Sequence, residues 1–210
     1  MGGAPRQFFR RAETKNAIEH LAGESRLTLI VGAGASAEIG LPLWSDLVYR
    51  LLLRALSPET LLDSEDYPTD VEIAAERAIA EGGPLGAATM ARATLGSRFN
   101  DELRFCLYDW PNKWRWNLPG STATAVAKLV AVMSERGDTC EVATTNYDLT
   151  LETAMSRALK REVKPFYSDS EDRAGGHVVL HLHGTLSPDG EEHDVALTEA
   201  DYHSPDPTGL

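Results

Sequence analysis

The sequence predicts an α/β protein built on a doubly wound, mostly parallel sheet with a helical insertion. Three observations point there. A short apolar run, Leu27 to Val31, ends abruptly in Gly32-Ala33-Gly34-Ala35-Ser36 and gives way to a leucine-rich helical pattern. From Thr139 onward, strand-like and helix-like segments alternate, which implies parallel strands with helices packed on both faces of a sheet. Between these two parts, residues 57–137 are helical in pattern, long enough to be an insertion rather than a connection.

Taken in order, Phe8, Phe9, Ala12, Ala17, Ile18 and Leu21 fall at helical spacing and predict a leading helix over residues 7–21, packed on the sheet edge or on a partner. Gly23 stops it and Arg26 opens the first strand. After the glycine turn, Pro42 and Ser45 mark a helix start, with Ser45 as N-cap. Leu47, Val48, Leu51, Leu52 and Leu56 give that helix its apolar face, and Pro58 ends it. In the insertion, residues 71–80 and 85–105 are helical around the breaker Gly82-Gly83-Pro84. An aromatic knot follows, containing Trp110, Trp114 and Trp116, either as core or as a wall over a ligand or an oligomer contact.

Residues 122–136 form an amphipathic helix capped by Ser121 or Thr122 and stopped by Gly137. Then come a strand over 139–144, a helix over 149–160, a strand over 163–167 broken at Pro165, a strand over 178–182, a turn over 184–193 and a short last strand over 194–198. The chain is expected to be one domain, residues 1–210, with a nucleotide-binding frame over 26–56 and 138–203 and the insertion over 57–137. Since it ends at Pro205-Asp206-Pro207 without a further βα unit, a piece of a longer chain is expected.

Composition narrows the function. A hydrophobic fraction of 42% with 25% charged residues suits a water-soluble core-forming chain. The net charge of −12 argues against general nucleic-acid binding and against anionic membrane surfaces, both of which need clustered Lys and Arg. It leaves room for one bound dinucleotide, whose phosphates backbone amides can hold. No apolar run reaches the roughly 18 residues of a membrane helix, and the N-terminus lacks a signal-peptide core. Cys106 and Cys140 are too few for a four-cysteine zinc module, and both are expected to be reduced in a cytoplasmic protein.

Three segments carry chemistry. Gly32-Ala33-Gly34-Ala35-Ser36-Ala37 has the spacing of a dinucleotide-phosphate turn, with glycines for close backbone approach and a helix N-terminus behind them. An ordinary dehydrogenase would bring Asp or Glu at a strand end about 20 residues later, and none stands there. Thr144-Thr145-Asn146-Tyr147-Asp148 joins a strand to a helix at the same sheet edge, where Asn146 and Asp148 serve either as helix caps or as ligand contacts. His181-Leu182-His183-Gly184 puts two histidines on one strand face, emerging beside the same crevice. His183 is open to acid–base work, to a packing or capping role, or to metal binding; for a metal, His177, His193 and Asp194 are near but match no zinc spacing.

In order and context, these segments resemble the sirtuin family, with its GAG-x-S turn, its T-Q-N-x-D motif and a catalytic histidine followed by glycine. Gly40-Leu41-Pro42 also stands where sirtuins have Gly-Ile-Pro. The resemblance implies a Rossmann-like frame. The departures matter as much: the zinc module is missing, Leu43-Trp44-Ser45 replaces Asp-Phe-Arg, and Thr145 replaces the motif glutamine. The chain therefore resembles the divergent sirtuin-like domains of bacterial anti-phage defence systems, a branch whose late segment Leu197 to Tyr202 also resembles.

That resemblance implies hydrolysis of NAD⁺ to nicotinamide and ADP-ribose, with NAD⁺ as substrate and no zinc, and NAD⁺ loss as the effector of abortive infection. It implies that Gly32, Ala33, Gly34 and Ser36 hold the dinucleotide, that Asn146 orients ribose and water, that Asp148 holds the carboxamide, and that His183 accepts a proton. A homo-oligomer and a partner domain or defence protein are expected. Two other readings stand beside it: a regulatory module that binds NAD⁺ or ADP-ribose with little turnover, and a protein deacylase or ADP-ribosyltransferase.

Overall fold

The computed structural model describes residues 11–57, 67–110, 120–166, 177–190, 192–193, 195–198 and 200–201. Helix α1 (Ala12–Gly23) leads into strand β1 (Arg26–Val31). A single helical turn, α2 (Gly34–Ala37), follows the glycines, and then α3 (Trp44–Leu56). The insertion carries α4 (Thr69–Leu95) and α5 (Phe99–Arg104), continued by one turn of π-helix over Phe105–Asp109. Then come α6 (Thr122–Glu135), β2 (Thr139–Thr144), α7 (Thr150–Leu159), β3 (Lys164–Phe166) and β4 (Val178–His181). A small antiparallel hairpin, β5 (Thr185–Leu186) and β6 (Glu192–His193), completes the set.

Strands β1 to β4 form one parallel sheet in the order β1-β2-β4-β3. Pro165 is tolerated because β3 is an edge strand, where a missing ladder donor costs least. Alternation along the strands turns Val31, Val142 and Val179 to one face, where they pack with Ala127, Val130 and Met133 of α6 and Leu151 and Met155 of α7. α6 begins where Ser121 Oγ accepts the Thr124 amide at 3.3 Å and ends at Gly137, whose φ of +78° suits glycine.

On the opposite face, no described helix covers β1. Arg26, Thr28 and Ile30 lie exposed there, Ile30 at 73%. Helix α1 does not cover them. None of its residues is buried, and Ile18 and Leu21 are about half exposed. With only those two large apolar side chains, α1 has little to bury. The described fold is thus α/β with helices α6 and α7 on one sheet face.

A second core is built by α3, α4 and α5. Leu47, Val48, Leu51 and Leu52 of α3 meet Ala87, Ala88 and Ala91 of α4 and Leu103 of α5, the alanines letting the helices approach closely. The kink in α4 falls at Gly83, with φ +67° and ψ 168°, because Pro84 excludes the helical region for the residue before it. Trp110 stacks on Tyr67, meets Phe105 edge-on and lies under the Arg50 guanidinium, so it belongs to this helical layer. Trp114 and Trp116 lie outside the described residues. Cys106 and Cys140 are buried free thiols, and burial pushes both above the usual thiol range.

Two local expectations need correction. The N-cap of α3 is Leu43, without a side-chain cap, so Ser45 lies inside the helix; the chain enters α3 extended at Leu43, two residues earlier than Ser45 suggests. Residues 195–198 form no strand, while 192–193 do; Asp194 lies outside the described residues. The alternation of Val195 and Leu197 mimics a strand, but Leu197 is buried in the helical core and its amide is bound by Asp201 Oδ2 at 3.0 Å.

Asp201 is a junction. It also accepts the Thr198 amide at 2.7 Å and hydroxyl at 2.8 Å, and it pairs with Arg92 of α4. Burial alone would raise its carboxyl; the Thr198 and Leu197 amides, the Thr198 hydroxyl and Arg92 outweigh that and hold it below its ordinary value. A depressed carboxylate contributes stability that is complete above the ordinary carboxylate range and is lost as pH falls through the lower folded value. Asp201→Ala is expected to cost about 1–3 kcal/mol at neutral pH, and to reduce the loss of stability below roughly pH 4. Denaturant titration at pH 7 and pH 3 checks both.

Candidate functional site

The sheet register builds the site. Val31 pairs with Thr144, and Thr144 with His181, so three strands end level. The residues just beyond them are Gly32, Thr145 and Leu182. The Thr145 amide donates to Val31 O at 3.2 Å and the Leu182 amide to Thr144 O at 2.9 Å, carrying the ladder up to the edge. The glycine turn and the Asn146 segment therefore stand side by side, with His183 just past the third strand.

Above this edge lies a cleft of about 520 Å³. Ala33, Thr145, Asn146, Asp148 and His183 line it on the sheet side, and Pro42, Trp44, Leu47, Leu85 and Leu107 supply apolar surface. Leu85 and Leu107 come from the insertion, a contribution that sequence reasoning missed. Their signal was the apolar pattern of the insertion, which by itself looks like ordinary core. Tyr108 ties the insertion to the frame, its hydroxyl donating to Leu186 O at 2.7 Å, and within the frame the Tyr147 hydroxyl donates to Ala196 O at 2.7 Å.

Asn146 is the most constrained residue of the site. It is buried, its amide donates to Thr144 Oγ1 at 3.0 Å, and its Nδ2 donates to Ser36 Oγ at 2.9 Å and Gly32 O at 3.3 Å. Because Gly32 O can only accept, the orientation of the side-chain amide is determined. Its Oδ1 is buried and has no hydrogen-bond partner among the described residues. Asn146 thus caps no helix; it joins the second strand end to the glycine turn. Asp148, also buried, stands one residue before the N-cap Leu149 and accepts the Thr150 amide at 3.0 Å while lining the cleft.

The glycine turn differs from its expectation. The helix after it is one turn long, and α3 begins ten residues later than Gly34, so the helix that follows the turn carries little dipole. Neither Gly32 nor Gly34 has positive φ. A Cβ on Gly34 would meet nothing within 4 Å, and one on Gly32 only Thr145 Oγ1 at 3.7 Å, so no steric demand within the chain requires glycine at either position. Gly34 is exposed at the start of α2, while Ser36 is buried behind Asn146.

The two histidines part company. β4 ends at His181, whose ring is buried, whereas His183 lines the cleft beyond the strand. Period two breaks because the strand has ended before His183. Gly184, with φ +77°, turns the chain away at once, and the His183 carbonyl accepts the Ala196 amide at 3.0 Å. Burial holds the His183 ring below the ordinary histidine value, favouring the neutral form that can accept a proton. Among the described residues, no group of three or more His, Cys, Asp and Glu side chains is arranged to hold a metal. No described helix is long and apolar enough to cross a membrane.

Residues 141–208 match the family model of a SIR2-like domain. The match contains Asn146, Asp148 and His183 and begins after the glycine turn and the insertion. SIR2-like proteins are generally NAD-dependent enzymes, and the matched stretch is similar to them. No curated protein matches the chain.

Proposed function

We propose that this protein hydrolyses NAD⁺ at the nicotinamide–ribose bond. The observation that carries the reading is Asn146. It is tied to Ser36 and Gly32, has one buried oxygen without a partner, and opens on a cleft that also presents Asp148 and His183. The similarity of residues 141–208 to SIR2-like domains supplies the substrate class.

In the reaction, the C1′–N bond breaks with its electron pair going to the pyridinium nitrogen, so nicotinamide leaves neutral. Water oxygen bonds to C1′, and its proton passes to His183 and then to solvent. Positively charged leaving groups need little acid help, so orientation and charge stabilisation matter most. Gly32 and Gly34 present backbone to the diphosphate without side chains in the way, and Ala33 between them adds only a methyl group. Asn146 orients the ribose and water through Oδ1, and Asp148 holds the carboxamide. Trp44, Leu47, Leu85 and Leu107 exclude bulk water, strengthening each polar contact. The role proposed for this activity is depletion of NAD⁺ in bacterial anti-phage defence, as a homo-oligomer with a partner that triggers it.

Burial works against charging His183, so the base form persists to lower pH than in a free histidine. The acid limb of the kcat/KM profile is expected to have its midpoint below about pH 6.5, the ordinary histidine value. A midpoint above that pH contradicts His183 as the base. Incubating the protein and its partners with NAD⁺ and separating the products tests the activity itself. Equal nicotinamide and ADP-ribose support hydrolysis. Tight ADP-ribose binding without nicotinamide release identifies a binding module instead, and consumption that depends on an acyl-lysine peptide identifies a deacylase.

A further inference from the structure

His181 is buried, ionisable and unused by the reaction just described. Its side chain is fully buried and both ring nitrogens are engaged: Nδ1 with Asn146 O at 2.9 Å, Nε2 with Glu152 Oε1 at 2.5 Å. A carbonyl oxygen only accepts, so Nδ1 carries the proton and donates to Asn146. Glu152 stands in the first turn of α7, buried, with its second oxygen lacking a partner. A carboxylate kept there at the cost of an unsatisfied oxygen is what a ring in need of a fixed orientation requires.

The contacts around Asn146 are then complete but for one atom. Its amide is held by Thr144, its carbonyl by His181, and its Nδ2 by Ser36 and Gly32; among the described residues Oδ1 alone has no partner and is left for a ligand. From this geometry we infer that His181 is a positioning residue for Asn146, with Glu152 orienting its ring. The inference deepens the proposed NAD⁺ hydrolysis and rests on it for the kinetic part of its test.

Two isosteres separate positioning from packing. In His181→Asn the side-chain amide nitrogen falls near the Nδ1 position and donates to Asn146 O; in His181→Gln the amide falls near Nε2, keeps Glu152 company and leaves Asn146 O unpaired. His181→Gln is expected to lower kcat about 100-fold, as small misplacements do, with KM for NAD⁺ unchanged. His181→Asn restores kcat towards wild type. Independently of turnover, ¹⁵N spectra read Asn146 directly. Its backbone and side-chain amide signals shift, and side-chain proton exchange speeds up, in His181→Gln and not in His181→Asn. Melting temperatures are taken for both.

Equal losses in the two variants, or Asn146 signals that move in both or in neither, overturn the inference. If the wild-type protein releases no nicotinamide, hydrolysis fails as a reading while the spectra still decide the role of His181.

Discussion

His183→Ala is expected to lower NAD⁺ turnover by about 10²–10⁴-fold, the range for removing a general base. The fold should tolerate the change, since the ring lines the cleft and lies outside both buried cores. Two backbone features help hold this stretch in place, Gly184 at φ +77° and the bond from the Ala196 amide to the His183 carbonyl, and alanine removes neither. The loss should appear in kcat, with ADP-ribose affinity little changed, because the proton is accepted in the transition state rather than in the bound ground state. Single-turnover rates and calorimetric binding of ADP-ribose check the split. Undiminished turnover would remove His183 from the reaction.

Glu102→Ala is expected to cost the most stability of any single truncation in the helical layer. Arg54 Nε lies 2.5 Å from Glu102 Oε2, each side chain only 8% exposed, and the guanidinium also rests on the Phe105 ring. The pair joins α3 to α5, and its desolvation cost is already met in the folded protein. Removing Glu102 takes the carboxylate from the buried Arg54 guanidinium, which keeps its contacts with Tyr67 and the Phe105 ring, and costs about 3 kcal/mol. Chemical denaturation of Glu102→Ala measures it. Replacing Arg54 and Glu102 together with Met and Leu should recover much of the loss, since a buried pair is often no better than well-packed apolar residues. Because Leu85 and Leu107 of the same layer line the cleft, a partly melted Glu102→Ala protein should also lose substrate affinity.

What could be read from sequence follows where local chemistry alone decides. α6 was legible almost to the residue because Ser121 caps it and Gly137 ends it, both local events. The breaker at Gly83-Pro84 and the parallel strands were legible for the same reason. The short stretch at 195–198 was misread because its alternation serves burial of Leu197 and capping by Asp201, a partner not visible in any window of periodicity. Among the described residues no helix covers the β1 side chains Arg26, Thr28 and Ile30; Phe8 and Phe9, which the sequence places in the leading helix, lie outside the described residues.

At the site, composition and motif indicated which residues gather, and the register of β1, β2 and β4 explains why they do. Sequence grouped His181 with His183 by strand period. The strand ends between them, so one ring lies beneath Asn146 and the other faces the cleft. Glu152 left a faint trace. It is a carboxylate beside the apolar stripe of Leu151, Met155 and Leu159, where a solvated glutamate does not belong.

The central claim, that Asn146 at this sheet edge directs the cleavage of NAD⁺, meets its most direct test in product formation by wild type and Asn146→Ala side by side. With partners present, chromatography should find nicotinamide and ADP-ribose in equal amounts from the wild-type protein. Asn146→Ala, melting lower because its bonds to Ser36 and Gly32 are gone, should make about 10²–10³-fold less of both at a temperature where it is fully folded. Nicotinamide released as fast by Asn146→Ala as by wild type would contradict the account.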